Sequence, residues 1–89
     1  MVDANKNFIS LPRKALAKVI TEEEANGRKL AEEEWVDLIF RGIQDVDSAS
    51  INYFKACTKL SLSSNLIQRI PEIQLDNLKI LSLGRNKIK

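Results

Sequence analysis

Cys57-Thr-Lys-Leu60-Ser-Leu62-Ser-Ser-Asn65-Leu-Ile67 is followed further along the chain by Leu78-Lys-Ile-Leu81-Ser-Leu83-Gly-Arg-Asn86-Lys-Ile88. Equivalent positions in the two stretches share one constant offset, from the Cys57/Leu78 pair to the Ile67/Ile88 pair. Five apolar or asparagine positions that match at one offset indicate an internal repeat.

Each stretch fits the signature L-x-x-L-x-L-x-x-N-x-L, which is typical of leucine-rich repeats. Leucines two positions apart on a strand point to the same side, so Leu60 and Leu62 are predicted to face the core. The residues between them then face outward, onto the concave side of a solenoid. The amides of Asn65 and Asn86 are predicted to bond to backbone groups in the turn after each strand.

A degenerate first repeat is predicted at residues 35–56, because Trp35, Leu38 and Phe40 precede Cys57, Leu60 and Leu62 by a second constant offset. In this alignment Ile43 takes the asparagine position. A helix over residues 31–43 is the alternative, since Trp35, Leu38 and Ile39 also fit helical spacing. A short helix with Asp47 or Ser48 as N-cap is expected to lead towards Cys57.

Three parallel strands near residues 37–40, 59–62 and 80–83 follow from this alignment. The fold class predicted is α/β, a leucine-rich-repeat solenoid fragment with an N-terminal helical cap. The predicted concave columns are Asp37, Lys59 and Ile80; Ile39, Ser61 and Ser82; and Arg41, Ser63 and Gly84. We take as partner-binding candidates nine residues on this face: Asp37, Ile39, Arg41, Lys59, Ser61, Ser63, Ile80, Ser82 and Arg85.

The N-terminal third is expected to form a helix that covers the first repeat. Ser10 is the predicted N-cap, Pro12 fits the first turn, and Asn26-Gly27 is a stop signal. The expected divisions are a flexible segment 1–10, a helical cap and connector 11–34, and repeats 35–56, 57–77 and 78–89. The run of three glutamates at 32–34 is expected to be solvated, because consecutive residues cannot share one face.

Composition narrows the function classes. With 14 basic and 12 acidic residues the chain lacks the strong basic excess of many nucleic-acid-binding domains, and no apolar run reaches the length of a membrane span. The chain has no histidine and one cysteine, so Ser-His and Cys-His catalytic pairs and a zinc site are excluded. We therefore expect no enzyme activity, no metal, no cofactor and a reducing, intracellular location.

The two repeats resemble the leucine-rich-repeat light chains of outer-arm axonemal dynein, and the string Leu-Ser-Leu-Gly-Arg-Asn at residues 81–86 is especially similar. A looser similarity covers Ala15-Leu16-Ala17-Lys18, Val36-x-Leu38 and Asp47-x-x-x-Ile51. The resemblance implies a non-catalytic subunit in the cytoplasm and the axoneme of cilia or flagella. Its implied partner is the motor or stalk region of a dynein heavy chain, with tubulin as a further candidate.

Another intracellular repeat adaptor, such as a phosphatase-regulatory or scaffold protein, is the alternative function. The offset between the two clear repeats is one residue shorter than the common form, and the deletion is assigned between Ile73 and Leu78. Because the last repeat is cut after its strand, we expect marginal stability, self-association through the open edge, or a C-terminal continuation.

Overall fold

The computed structural model describes residues 13–88 as a mixed α/β structure with short parallel strands. In chain order the elements are β1 (Lys14–Ala15), α1 (Leu16–Ala25), a 3₁₀ turn (Leu30–Glu32), β2 (Trp35–Asp37), β3 (Ile43–Asp45), α2 (Ser48–Ile51), β4 (Lys59–Ser61) and β5 (Ile80–Ser82). Parallel strands β2, β4 and β5 form one sheet in that order, and parallel strands β1 and β3 form a second.

The helix α1 begins later than the sequence predicts. Ser10 and Pro12 lie outside the described residues, and the described chain enters through β1, which pairs with β3, before the helix starts at Leu16. The expectation that residues 14 and 15 are helical is therefore wrong. Strand pairing satisfies backbone groups there, as in the bond from Lys14 N to Gly42 O at 2.8 Å.

The end of α1 follows the predicted stop signal. Gly27 adopts a φ of +97°, a conformation that glycine reaches without steric cost. Its N–H donates to Glu24 O, and Arg28 N donates to Glu23 O, which is the pair of bonds in a Schellman cap. The sequence also predicts an apolar stripe of Ala15, Leu16, Val19 and Ile20 on this helix; the last three are buried in α1, and Ala15 lies in β1.

The pairing of β4 with β5 has the predicted register. Lys59, Leu60 and Ser61 lie beside Ile80, Leu81 and Ser82, which is the offset that separates the two clear repeats. Leu60 is buried, and Leu81 is half-buried.

The pairing of β2 with β4 is shifted by two positions from the predicted one. Val36 lies beside Leu60, and Leu38 N donates to Ser61 O at 2.9 Å, so Leu38 does not lie beside Leu60. The predicted column of Leu38, Leu60 and Leu81 is therefore wrong: Val36 occupies the first place. A slip of two positions leaves Asp37, Leu38 and Ile39 on their predicted faces, so the parallel sheet persists with different neighbours. The helix alternative for residues 31–43 is not observed.

The asparagines of the two clear repeats bond to the backbone of neighbouring layers, where a layer is one strand of the three-stranded sheet together with the segment that follows it. Asn65 Oδ1 accepts from Arg41 N at 2.9 Å and Ile43 N at 3.1 Å, while its Nδ2 donates to Leu38 O and Leu62 O at 3.0 and 2.8 Å. Asn65 is only 5% exposed, so these bonds satisfy backbone groups that water does not reach.

Asn86 repeats this role between the second and third layers. Its Oδ1 accepts from Ile67 N at 3.0 Å, and its Nδ2 donates to Leu62 O and Leu83 O at 3.0 Å each. The prediction for both amides is confirmed. The assignment of Ile43 to the asparagine position is wrong, since the register that sets Val36 beside Leu60 makes Ile43 the equivalent of Ile67.

The side of the molecule away from the three-stranded sheet is built from β3, α2 and the irregular segment 66–78. Asp47 caps α2 as predicted: its carboxylate accepts from Ser50 N at 3.2 Å and Ser50 Oγ at 2.6 Å. These bonds lower the pKa of Asp47, led by the one from the Ser50 hydroxyl. One buried core joins these parts to the sheet and comprises Leu16, Val19, Ile20, Leu30, Val36, Leu38, Ile43, Ile51, Phe54, Cys57, Leu60, Leu62, Ile67 and Leu75.

Candidate functional site

The outward side of the three-stranded sheet, which we call the open face, presents the side chains that alternate with the buried ones. Strand pairing and the bonds that continue it beyond the strand ends, such as Phe40 N to Ser63 O and Ser64 N to Gly84 O, arrange these residues in three rows. The rows are Trp35, Lys59 and Ile80; Asp37, Ser61 and Ser82; and Ile39, Ser63 and Gly84.

The first row is the most apolar part of the open face. Trp35 is 72% exposed and Ile80 is 51% exposed, with Lys59 between them. The Lys59 ammonium lies 5.4 Å from the centroid of the Trp35 ring, within the range of a cation–π interaction. The predicted neighbour of Lys59 was Asp37. That prediction is wrong because of the slip in register, and Asp37 lies beside Ser61.

The second and third rows contain most of the predicted contact residues. Ser61, Ser63 and Ser82 are half-buried, so this part of the face is shallow. Asp37 is exposed, and its Oδ1 accepts from Ile39 N at 3.1 Å. Ile39 is 46% exposed and lies in the row of Ser63, not in the predicted column with Ser61. The slip thus moves Asp37 and Ile39 one row along but leaves both on the face.

Arg41 does not belong to the open face. Its backbone N–H donates to Asn65, and its guanidinium pairs with Glu23 of α1. The predicted column of Arg41, Ser63 and Gly84 is wrong, because the observed register aligns Arg41 with the buried Asn65. Its role is to join the end of the first layer to the helix.

A row of left-handed residues borders the open face at the carboxyl ends of its strands. Phe40, Ser64 and Arg85 have φ values of 55°, 57° and 57°, and they occupy equivalent positions in the three layers. Arg85 is exposed there, at the edge of the face. Phe40 is 60% exposed, although its alignment with Leu62 predicted a core position.

The predicted alignment thus failed to identify Trp35 and Phe40 as surface residues. The pattern Val36-x-Leu38 contains the signal that could have found them, since these are the apolar residues two apart that match Leu60 and Leu62. Under that alignment both aromatic side chains fall outside the buried positions.

Charged side chains near α1 form an ion-pair network away from the open face. Arg28 contacts Glu23 at 2.7 Å and Glu33 at 2.6 Å, and Arg41 also pairs with Glu23. Hydrogen bonding to Glu33 and then Glu23 raises the pKa of Arg28, and the bond from Arg28 lowers the pKa of Glu33. The network links the helix, the connector and the first layer.

Cys57 is the one cysteine of the chain and belongs to the buried core. The Cys57 thiol is buried and donates to Lys59 O at 3.0 Å, and burial raises its pKa, which disfavours the reactive thiolate. Residues 13–88 contain no group of three or more cysteine and carboxylate side chains arranged to hold a metal ion. Over the same residues, no helix has the length and apolar character needed to cross a bilayer.

Comparison with known proteins finds similarity to dynein axonemal light chain 1 from several organisms. No protein-family model matches the chain, and no solved structure matches it. Dynein axonemal light chain 1 of Ciona intestinalis is 49% identical over 70 residues, which cover 75% of this chain and 36% of that protein. The human protein of that name is 43% identical over 70 residues, with the same coverage, and that of Xenopus laevis is 44% identical over 80 residues, which cover 86% of this chain and 40% of the relative.

The chain spans well under half the length of these relatives. The similarity nevertheless extends over at least three quarters of the chain in each of the three, so it includes more than the two clear repeats. The resemblance predicted from the repeat residues is confirmed: the chain is similar to the dynein axonemal light chain 1 proteins.

Proposed function

We propose that this chain is a non-catalytic, protein-binding subunit of axonemal outer-arm dynein, located in the axoneme of cilia or flagella. Its similarity to dynein axonemal light chain 1 at 43–49% identity is the observation that carries the proposal. The partner is a dynein heavy chain, at its motor or stalk region, and the subunit regulates ciliary or flagellar beating.

The three layers form part of a leucine-rich-repeat solenoid in this proposal. Support comes from the parallel strands β2, β4 and β5, each followed by a left-handed residue, and from the asparagine bonds between layers. In such solenoids successive layers bury a common core, which leaves the outward side of the strands available for binding.

The open face is the contact surface that we propose for the heavy chain. It combines exposed apolar side chains with half-buried serines, so a partner can lie close to the strands. Exposed aromatic residues are frequent at binding hot spots. Eight of the nine predicted contact residues remain candidates on this face or at its border: Asp37, Ile39, Lys59, Ser61, Ser63, Ile80, Ser82 and Arg85.

Calorimetric titration of the full chain with recombinant motor and stalk segments of an axonemal dynein heavy chain tests the proposal. We expect saturable binding that Ser61→Arg weakens at least ten-fold, because a long charged side chain would stand in the middle of the face. Lys55→Glu, outside the three strands, is the control and should bind normally. Absence of binding to every segment would contradict the proposal, and recovery of a phosphatase alone from ciliary extract would favour the adaptor alternative.

Co-sedimentation with microtubules tests the further partner, tubulin.

Self-association is a second proposed interaction. Within residues 13–88, β5 is paired by β4 alone, and Leu78, Leu81 and Leu83 around it are half-buried. Sheet edges of this kind pair readily with another chain. Sedimentation equilibrium should show a molecular mass that rises with concentration, and a monomer at all concentrations would contradict self-association.

A further inference from the structure

We propose that the row Trp35–Lys59–Ile80 selects a partner helix that presents a carboxylate between two apolar side chains. The inference rests on the proposed function in one respect, that the open face is the contact surface. It adds the chemical character of the partner helix and names the residues that recognise it.

The exposure of Trp35 is the first support. Its neighbour Val36 is buried, so the strand turns the indole outward, where it remains 72% exposed. Of the large apolar side chains in residues 13–88 that are exposed, Trp35 has the highest exposed fraction. A flat aromatic surface of this size is the kind of group that loses most water when a partner covers it.

The charge held over that ring is the second support. The ammonium of Lys59 lies 5.4 Å from the indole centroid, and no carboxylate in residues 13–88 forms a salt bridge with it. Asp37, the acidic residue of the next row, accepts a bond from Ile39 N. An ammonium has three donors, so Lys59 can contact the ring and still bind an incoming carboxylate.

The spacing of the row is the third support. Neighbouring strands of a sheet lie about 4.8 Å apart, so Trp35 and Ile80, with one strand between them, are separated by about 10 Å. Residues i and i+7 of an α-helix are separated by a similar distance along the axis, about 10.5 Å, and lie on one face. A helix that crosses the strands can therefore set apolar side chains at i and i+7 against Trp35 and Ile80. An acidic residue at i+3 or i+4 then meets Lys59.

Two designed amphipathic peptides test this inference, each about 18 residues long so that a helix can form. Both carry leucine at i and i+7; one carries glutamate at i+3 and i+4, and the other carries lysine there. Trp35 is the only tryptophan in the chain, so its fluorescence reports contact with this row directly. We expect the acidic peptide to bind about ten-fold more tightly than the basic one and to shift the Trp35 emission.

Variants separate the contributions of the row. Lys59→Glu should reverse the preference between the peptides, while the matched reversal Lys55→Glu, in the turn before β4, should leave it unchanged. Trp35→Ala should weaken the acidic peptide about ten-fold by calorimetry, with an unchanged circular dichroism spectrum. Equal affinity for the two peptides, no binding of either, or an unchanged preference in Lys59→Glu would overturn the inference. If the acidic peptide is selected but no heavy-chain segment binds, the proposed function fails and this inference stands. If a heavy-chain segment binds but the two peptides are not distinguished, this inference fails and the proposed function stands.

Discussion

Strands β2 and β5 flank β4 on opposite sides, and the two pairings rest on different sequence patterns. The β5 side repeats the residues of β4 almost position by position, and an asparagine follows each of these strands. The β2 side has valine for leucine, arginine where the asparagine would be, and two aromatic residues that are exposed. The comparison shows that the repeat pattern fixes the register only where both strands carry it.

Substitution of an inward-facing residue and of an outward-facing residue of the β2/β4 pair should give the largest difference in the free energy of unfolding. Leu60 is fully buried, so Leu60→Ala should lower the free energy of unfolding by about 3 kcal/mol. Trp35→Ala removes a larger side chain that is mostly exposed, and it should change stability by no more than about 0.5 kcal/mol. Urea denaturation measures both, and a larger loss in Trp35→Ala would contradict the outward position of the indole.

The two asparagines give a matched comparison of the layers. Asn65→Ala leaves the buried N–H group of Ile43 and the part-buried one of Arg41 without their acceptor, and we expect a loss of about 2–3 kcal/mol. Asn86→Ala should cost less, about 1 kcal/mol, because its side of the structure is more exposed. Denaturation curves for the two variants measure the difference, and an equal loss would contradict the larger contribution expected of Asn65.

The left-handed residues at the strand ends allow a stabilising change. Phe40 has a φ of 55°, which costs a residue with a side chain about 1–2 kcal/mol and glycine almost nothing. Phe40→Gly should therefore raise the free energy of unfolding by about 1 kcal/mol, despite the loss of an aromatic ring. Gly42→Ala, at a φ of 71°, should have the opposite sign. A destabilised Phe40→Gly variant, seen by urea denaturation, would show that the ring contributes more to folding than its exposure indicates.

Much of the β4/β5 half could be predicted from sequence, and the reason lies in particular residues. Leu60, Leu62 and Asn65 recur at one offset, and each has one role: two point into the core and the amide closes the turn. The caps at Gly27 and Asp47 were also predictable, because their chemistry is local.

The β2 register could not be predicted in the same way. Leu60 and Leu62 are two positions apart, so one alignment places Leu38 beside Leu60 and the other places it beside Leu62. Both alignments keep Leu38 in the core, and they differ in whether Trp35 and Phe40 are buried. Contacts distant in sequence decide between them, among them the bonds from Arg41 and Ile43 to Asn65. The partner-binding residues on the open face stay a prediction.

The smallest expected effect concerns the ion pairs that tie α1 to the first layer. The bond from Arg28 lowers the pKa of Glu33 below its ordinary 4.5, so the folded state binds this proton less readily than the unfolded chain does. The contribution to stability is then complete above the ordinary pKa and is lost as the pH falls through the folded-state pKa. Glu33→Gln should flatten the stability profile as the pH falls below the ordinary 4.5, whereas Glu34→Gln, at an exposed carboxylate outside the network, should not. Denaturation across this range measures both, and identical profiles for the two variants would contradict the network.

The register between β2 and β4 can be measured directly by nuclear Overhauser contacts across the strands in the isotope-labelled chain. The account predicts backbone contacts that link Val36 with Leu60 and Leu38 with Ser61, together with side-chain contacts between the Trp35 indole and Lys59. Backbone contacts that set Leu38 beside Leu60, with Trp35 shielded from water, would contradict it and would remove the row on which partner selection depends.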